Sequence, residues 1–271
     1  MNHDDETART IFSLAFMKLR ELSIKDNFYN EILERRRRVF DESKPDSFFY
    51  EILVRDIFNA GMKASVITSK LPFIKETFAD FDIKQVSNYD DSNLSKMLKN
   101  PRIIKNKRKL CDCILNAKTM KGLSDEYGSF GKYLGKYLSS HSDNLQDLAL
   151  ELAHRFSSVG YTLALNYLKD VGMDTIKPDV HVLRVLYRLG FLDSEKSSEQ
   201  NIQKTIRVAE KMKAFPYEEL SVIDAVFWMY GGAGDGHVKK AMCNKNRPFC
   251  GECPLTAYCS YYCRADLKEP T

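Results

Sequence analysis

Apolar residues recur at helical spacing along nearly the whole of this 271-residue chain. Leu145, Leu148, Ala149 and Leu152 fall at i, i+3, i+4 and i+7, and Ala164, Tyr167, Leu168 and Val171 repeat the pattern. Val182, Val185, Leu186 and Leu189 do so again, and Leu220, Ile223, Phe227 and Tyr230 keep a similar step. Such spacing lays one apolar stripe along a helix, whereas a half-buried strand needs strict alternation. No convincing alternating run occurs, so the chain is expected to be all-α. Punctuation falls at Lys44-Pro45-Asp46, Lys70-Leu71-Pro72, Asn100-Pro101, Ser139 to Asp143, Lys177-Pro178-Asp179 and Gly231-Gly232-Ala233-Gly234. These breaks divide the chain into roughly ten or more helices of ordinary length. No long low-complexity linker separates them, which favours two interlocked lobes over beads on a string.

The length suits one large core or two modest ones. No apolar run is long enough to cross a bilayer, and Met1-Asn2-His3-Asp4-Asp5-Glu6 has the wrong charge for a secretion signal. The expected location is cytoplasmic, associated with the nucleoid if the source is prokaryotic. Thiols stay reduced there, so clustered cysteines point to metal rather than disulfides. Net charge is only +4, from 41 Lys and Arg against 37 Asp and Glu. Its distribution says more. Lys239, Lys240, Lys245 and Arg247 form one acid-free patch, Arg102, Lys105, Lys107, Arg108 and Lys109 a second, and Arg35 to Arg38 a third. Any one is an ordinary solvated helix face. Together they point to a polyanion surface.

Five of the seven cysteines lie in MCNKNRPFCGECPLTAYCSYYC, Met242 to Cys263. Cys243, Cys250, Cys253 and Cys259 stand at C-x6-C-x2-C-x5-C. A zinc ribbon pairs two short knuckles across a longer spacer, and only Cys250 and Cys253 form such a knuckle. A compact loop offering four thiolates suits a cubane, one sulfur to each iron, with zinc as the weaker alternative. The spacing resembles the 4Fe–4S loop of the endonuclease III family, within the helix–hairpin–helix DNA glycosylase superfamily. The resemblance implies a cluster held by those four cysteines, with Lys245 and Arg247 presented to DNA phosphates between the first two. Cys263 stands outside the pattern, and Cys111 and Cys113 read as small buried residues.

The same resemblance extends upstream. FSSVGYTLALNYL, Phe156 to Leu168, is similar to the family's hairpin and following helix, with Val159 and Gly160 kept and Ser158 in place of the first glycine. It implies backbone contacts to DNA at Ser158 and Gly160, and a monovalent cation at the hairpin. A bland interhelical turn would look alike; a turn into a helix N-terminus also presents amides to a phosphate. Nineteen residues past Gly160, KPDVHVLRVLYRLG resembles the segment that carries the family's catalytic carboxylate, which falls on Asp179. Asp after Pro and before an apolar-periodic helix is equally an ordinary N-cap, and the two roles are compatible. Bifunctional members carry a nucleophilic lysine where this chain has Thr162, so strand cleavage through a Schiff base is not expected. Lys169 is expected on an exposed helix face.

The N-terminal half resembles a different branch. FFYEILVRDIFNAGMKAS, Phe48 to Ser65, and PRIIKNKRKLCDCILNAKTM, Pro101 to Met120, look like 3-methyladenine DNA glycosylase I. That family's base-contacting acid falls on Asp56; the alternatives are a pair with Arg55 or an acid facing water. Its pocket tryptophan aligns with Ala64, a departure, and its zinc ligands have no counterpart. Met62, in the turn Asn59-Ala60-Gly61-Met62-Lys63, is the candidate wedge into the gap a flipped base leaves, with core packing as the alternative. Phe48, Phe49, Tyr50 and Phe58 are candidate walls for an extruded base, although aromatics at this density more often fill a core.

These resemblances imply a two-lobed, all-α protein. A six-helix lobe of residues 46–170 ends in the hairpin; residues 1–45 with 171–271 carry Asp179 and the cluster loop. The implied activity is that of a monomeric, monofunctional glycosylase on double-stranded DNA, leaving an abasic site in base excision repair. The base would rotate into a cleft between the lobes. An alkylated purine is the favoured target, and a mismatched or enzymatically modified base is the alternative. A non-catalytic DNA-binding module of the same fold is the rival.

Overall fold

The computed structural model describes residues 3–62, 64–138, 144–214, 216–232 and 236–264. The breaks expected at Ser139 to Asp143 and Ala233-Gly234 lie outside the described residues, as do Lys63 and the side chain of Ala64. Fourteen α-helices and no strand are found among the described residues; two isolated bridges join Ser23 with Val238 and Ala214 with Tyr217. None of these helices is long and apolar enough to cross a membrane. The chain divides into two compact units, Val39–Met173 and Met1–Arg38 with Asp174–Thr271.

The Val39–Met173 unit holds α3 (Asp46–Asn59), α4 (Ala64–Thr77), α5 (Ile83–Val86), α6 (Asp91–Lys99), α7 (Lys107–Tyr127), α8 (Phe130–Gly135), α9 (Asn144–Arg155) and α10 (Tyr161–Asp170). That makes eight helices where six were expected, because α5 and α8 are single short turns between longer neighbours. Helix α3 is central and packs on α4, α7, α8 and α10. Its run from Phe49 to Phe58 is buried except for the narrow polar stripe of Glu51 and Arg55, as a helix with so little polar surface must be. Helix α7 buries Leu110, Cys113, Ile114, Ala117, Met120 and Leu123, a stripe at helical spacing. Pro72 lies inside α4 instead of breaking it. A proline forfeits one ladder bond there, and tertiary packing evidently outweighs that cost.

The other unit holds α1 (Asp5–Glu21), α2 (Asn27–Arg37), α11 (Val180–Arg188), α12 (Glu199–Met212), α13 (Leu220–Gly231) and α14 (Ser260–Arg264). Helix α13 is its axis: eleven of its twelve residues are buried, and α1, α2, α11 and α12 pack around it. A Cβ on Gly231 would stand 2.7 Å from the His181 carbonyl oxygen, so glycine is what lets the first turn of α11 lie against α13. Arg184, buried in α11, donates from Nη2 to the Gly231 carbonyl and fixes that approach.

Candidate active site and nucleic-acid interface

In the Val39–Met173 unit, one face of α7 touches two separate loops. Lys109 Nζ donates to the carbonyls of Phe58 and Ala60, at 2.9 and 2.7 Å, where α3 ends. Three residues on, Asp112 accepts a short hydrogen bond from Ser158 Oγ. Seven residues on from Lys109, Asn116 donates to the Ser157 carbonyl at 2.9 Å and accepts the Ser157 amide at 2.7 Å. The turn after α3 and the hairpin before α10 are therefore held by one helix. The sequence marked Lys109 only as part of a basic patch, and Asp112 and Asn116 not at all beyond the spacing that sets the three on one face.

The hairpin itself keeps the geometry that its missing glycine would supply. Ser158 has φ 59°, in the left-handed region, and its bond to Asp112 offsets part of the strain. Gly160 is the N-cap of α10 with no side-chain cap, and a Cβ there would meet nothing within 4 Å. The backbone at this helix start is open to an approaching group. Gly61 has φ 75°, and the next residue, Met62, closes the turn through its amide to the Asn59 carbonyl and stands 37% exposed.

The base-pocket candidates lie deeper. Asp56 is 2% exposed and accepts from Asn166 Nδ2 at 3.0 Å. It does not face water, and Arg55 engages Asp170 at 3.4 Å. Phe49 and Phe58 are fully buried: Phe49 packs against Phe40, Phe48 and Phe130, and Phe58 against Phe78. They are core residues rather than walls of an open pocket, since the surrounding helices cover both completely. Tyr50 is likewise buried, with its hydroxyl on the Cys113 carbonyl. Lys169, expected outside, is 4% exposed in α10.

In the other unit, Asp179 caps α11. Its Oδ1 accepts the amides of His181 at 2.8 Å and Val182 at 3.1 Å, while Oδ2 has no partner among the described residues. One carboxylate oxygen is thus committed to the helix start, and the other remains available.

Cys243, Cys250, Cys253 and Cys259 share one neighbourhood, close enough that each thiol feels others of the set. Burial pushes the thiols of Cys243, Cys250 and Cys253 up. No three His, Cys, Asp or Glu among the described residues stand tightly enough to hold a single ion. Polar groups surround the sulfurs. Arg188 Nη1 reaches Cys243 Sγ at 3.4 Å, the Tyr230 hydroxyl lies 2.9 Å from Cys253 Sγ, and the Cys259 thiol points to the Arg188 carbonyl at 3.4 Å. Arg188 also donates to the carbonyls of Asn244 and Lys245, at 2.8 and 3.0 Å, and lies under the Tyr261 ring. Neither Arg188 nor Tyr230 was singled out by the sequence, although an arginine within an apolar-periodic helix signals a buried partner.

The basic patches divide. Arg35 binds Glu31 and Asp224 and Arg36 binds Glu219, so these two serve intramolecular ion pairs, whereas Arg37 meets Glu34 at the surface and Arg38 is exposed. Arg102 pairs with Glu76, and Lys109 is engaged by carbonyls; partial burial draws its ammonium below the usual lysine range. Lys240 pairs with Glu252. Lys239, Lys245 and Arg247 are exposed with no acid partner among the described residues, and so are Lys105 and Lys107.

This all-helical architecture is that of the helix–hairpin–helix DNA glycosylases. Residues 41–178 match the profile of the methyladenine glycosylase family, and the chain belongs to that family. Endonuclease III in a trapped covalent intermediate with DNA is similar at 15% identity, with a TM-score of 0.59 over 96% of this chain and 98% of that one. The 8-oxoguanine glycosylase/lyase of Methanocaldococcus jannaschii is similar at 18% identity and a TM-score of 0.54, over 81% of this chain and 95% of that one. A 3-methyladenine DNA glycosylase I from Staphylococcus aureus shares 19% identity with a TM-score of 0.47, over 57% of this chain and 90% of that one. At these identities the structural likeness speaks to the fold alone.

Proposed function

We propose that this protein is a monofunctional DNA N-glycosylase that extrudes an alkylated purine from duplex DNA and hydrolyses its glycosidic bond. The observation that carries the reading is Asp179, which commits one carboxylate oxygen to the α11 amides and keeps the other without a partner among the described residues. An ionised carboxylate so held can stabilise the cationic sugar of the transition state and orient the attacking water. Family membership over residues 41–178 supports base excision as the chemistry and a methylated purine as the target.

The remaining roles follow from position. Met62 enters the gap left in the stack, and Asp56, held by Asn166 until then, contacts the base. The open helix start at Ser158 and Gly160, with Lys245 and Arg247, grips the phosphates. Thr162 at the hairpin supplies no amine, so the product is an abasic site rather than a cleaved strand.

The cysteine loop fits a 4Fe–4S cluster better than zinc. A lone ion draws four thiolates onto one small tetrahedron with bonds of about 2.3 Å, while a cubane spreads them to its corners. The four cysteines stand at C-x6-C-x2-C-x5-C, with one short knuckle where a zinc ribbon has two, which favours the cubane. Arg188 and Tyr230 are the donors that would orient them and offset their charge. When bound, the cluster acts as a structural tie for the loop that bears Lys245 and Arg247.

The test is release of free base from methylated duplex DNA, with the base identified by mass spectrometry and the abasic site revealed by alkali. Asp179→Asn is expected to abolish release and keep DNA binding. Binding without release across a broad lesion panel would make the protein a non-catalytic module of this fold.

A further inference from the structure

The segment that delivers Asp179 hangs from a buried carboxylate on another helix. Asp224, 3% exposed within the otherwise apolar α13, accepts the Lys177 amide on Oδ1 at 2.9 Å. Its Oδ2 takes Arg35 Nη1 at 3.1 Å, and Arg35 Nε is held in turn by Glu31 Oε1 at 2.7 Å. Glu31 Oε2 lies 3.7 Å from His237 Nε2. At the near end of the segment, Asp174 accepts the Leu220 amide at 2.7 Å, where α13 begins. At the far end, the Asp179 amide donates to the Lys177 carbonyl at 2.8 Å.

A buried ion pair contributes little net stability, since desolvating both charges cancels most of their attraction. An apolar residue at 224 would suit the surrounding core. What the carboxylate does that an apolar residue cannot is bind a backbone amide two residues from Asp179, with Arg35 fixing its orientation. The peptide at Lys177 is thereby pinned to α13, and Asp179 is pinned to α11 by its own cap. Between those two points only Pro178 remains, whose ring already fixes φ.

We infer that Asp224, oriented by Arg35, is a positioning residue for the Asp179 carboxylate. This rests on the reading of Asp179 as the group that acts on the sugar. Small displacements of a reacting group cost large factors in rate, on the order of 100-fold for about 1 Å.

The test has one arm that needs no activity. Hydrogen exchange of the 174–180 segment, followed by mass spectrometry, is compared in wild type, Asp224→Leu and Asp224→Asn. Asp224→Leu is expected to accelerate exchange there while the α11 interior stays protected; Asp224→Asn, whose carboxamide oxygen still accepts the amide, is expected to restore most protection. Unchanged exchange in Asp224→Leu overturns the inference. The second arm measures single-turnover base release from methylated duplex DNA alongside the dissociation constant. Asp224→Leu is expected to lose roughly 100-fold in rate with binding within about threefold, and Asp224→Asn to recover at least tenfold of that loss. Equal losses in rate and binding would mark a merely structural role and overturn it. Should Asp224→Leu fail to fold by circular dichroism, Arg35→Gln decides by the same two measurements. If Asp179→Asn releases base at the wild-type rate, or wild type releases none, the functional reading falls, whereas the exchange arm still decides whether Asp224 holds the segment.

Discussion

Lys109 Nζ and the Ala60 carbonyl, 2.7 Å apart, join the start of α7 to the turn that carries Met62. The same face of α7 holds the hairpin through Asp112 and Asn116. A wedge can replace a flipped base only if its backbone does not give way, and the Ala60 and Phe58 carbonyls are orphans at a helix end that Lys109 satisfies. Lys109→Met keeps the stem and removes the ammonium. It is expected to destabilise the protein by about 1–2 kcal/mol in urea unfolding. It should also reduce base extrusion, read from 2-aminopurine fluorescence in duplex DNA, with affinity for undamaged DNA unchanged. Full extrusion in this variant would show that the turn is rigid without Lys109.

Asp179 carries two separable tasks. As an N-cap it satisfies two amides; as a carboxylate it carries charge. Asp179→Ser keeps a capping oxygen and is expected to change stability by only a few tenths of a kcal/mol, whereas Asp179→Ala should cost about 1 kcal/mol. Both should stop base release. Thermal unfolding and release assays on the pair decide between them: activity in Asp179→Ser would mean that capping, not charge, is what the site needs.

The helical class was legible because apolar periodicity is a direct image of one-sided burial, and most expected breaks sit at helix ends, Pro45 before α3 and Gly232 after α13 among them. Pro72 was not, since whether a proline ends a helix is decided by what packs around it. The aromatics of α3 look alike in sequence whether they line a cavity or fill a core; only the surrounding helices put Phe49 and Phe58 inside. Spacing located the cysteines and Asp179 by resemblance, yet the residues that hold them are dispersed. Arg188 meets Cys243 across 55 positions, and Asp224 meets Lys177 across 47. One such residue carries a readable signal that the expectations did not use. Asp224 is the single charge in LSVIDAVFWMYG, and a carboxylate that deep in an apolar run must be paired.

Arg188 links α11 to the cysteine loop through two carbonyls and one sulfur. Arg188→Ala leaves the Asn244 and Lys245 carbonyls without their donor and Cys243 without its neighbouring charge. Purified wild type is expected to be yellow-brown with close to four irons per chain, and the variant to lose much of its iron and visible absorbance. A colourless wild type holding one zinc per chain would replace the cluster by a single ion.

Lys245 and Arg247 are exposed, with no acid partner among the described residues, on a loop locked by reciprocal bonds between Asn244 and Arg247 at 2.6 and 2.7 Å. The locked backbone presents both side chains from one place, so each is positioned to meet a phosphate. Each phosphate contact releases about 0.9 counterion from duplex DNA. Replacing both residues by Ala should therefore lower the slope of log affinity against log salt by about 1.8 in magnitude. Affinity should fall alike for damaged and undamaged duplexes, because phosphate contacts carry no base information. Arg36→Ala, which removes a cation already paired with Glu219, is the control and should leave the slope unchanged. Equal slopes for the double variant and wild type would take the cysteine loop off the DNA and leave the hairpin at Ser158 and Gly160 as the principal grip.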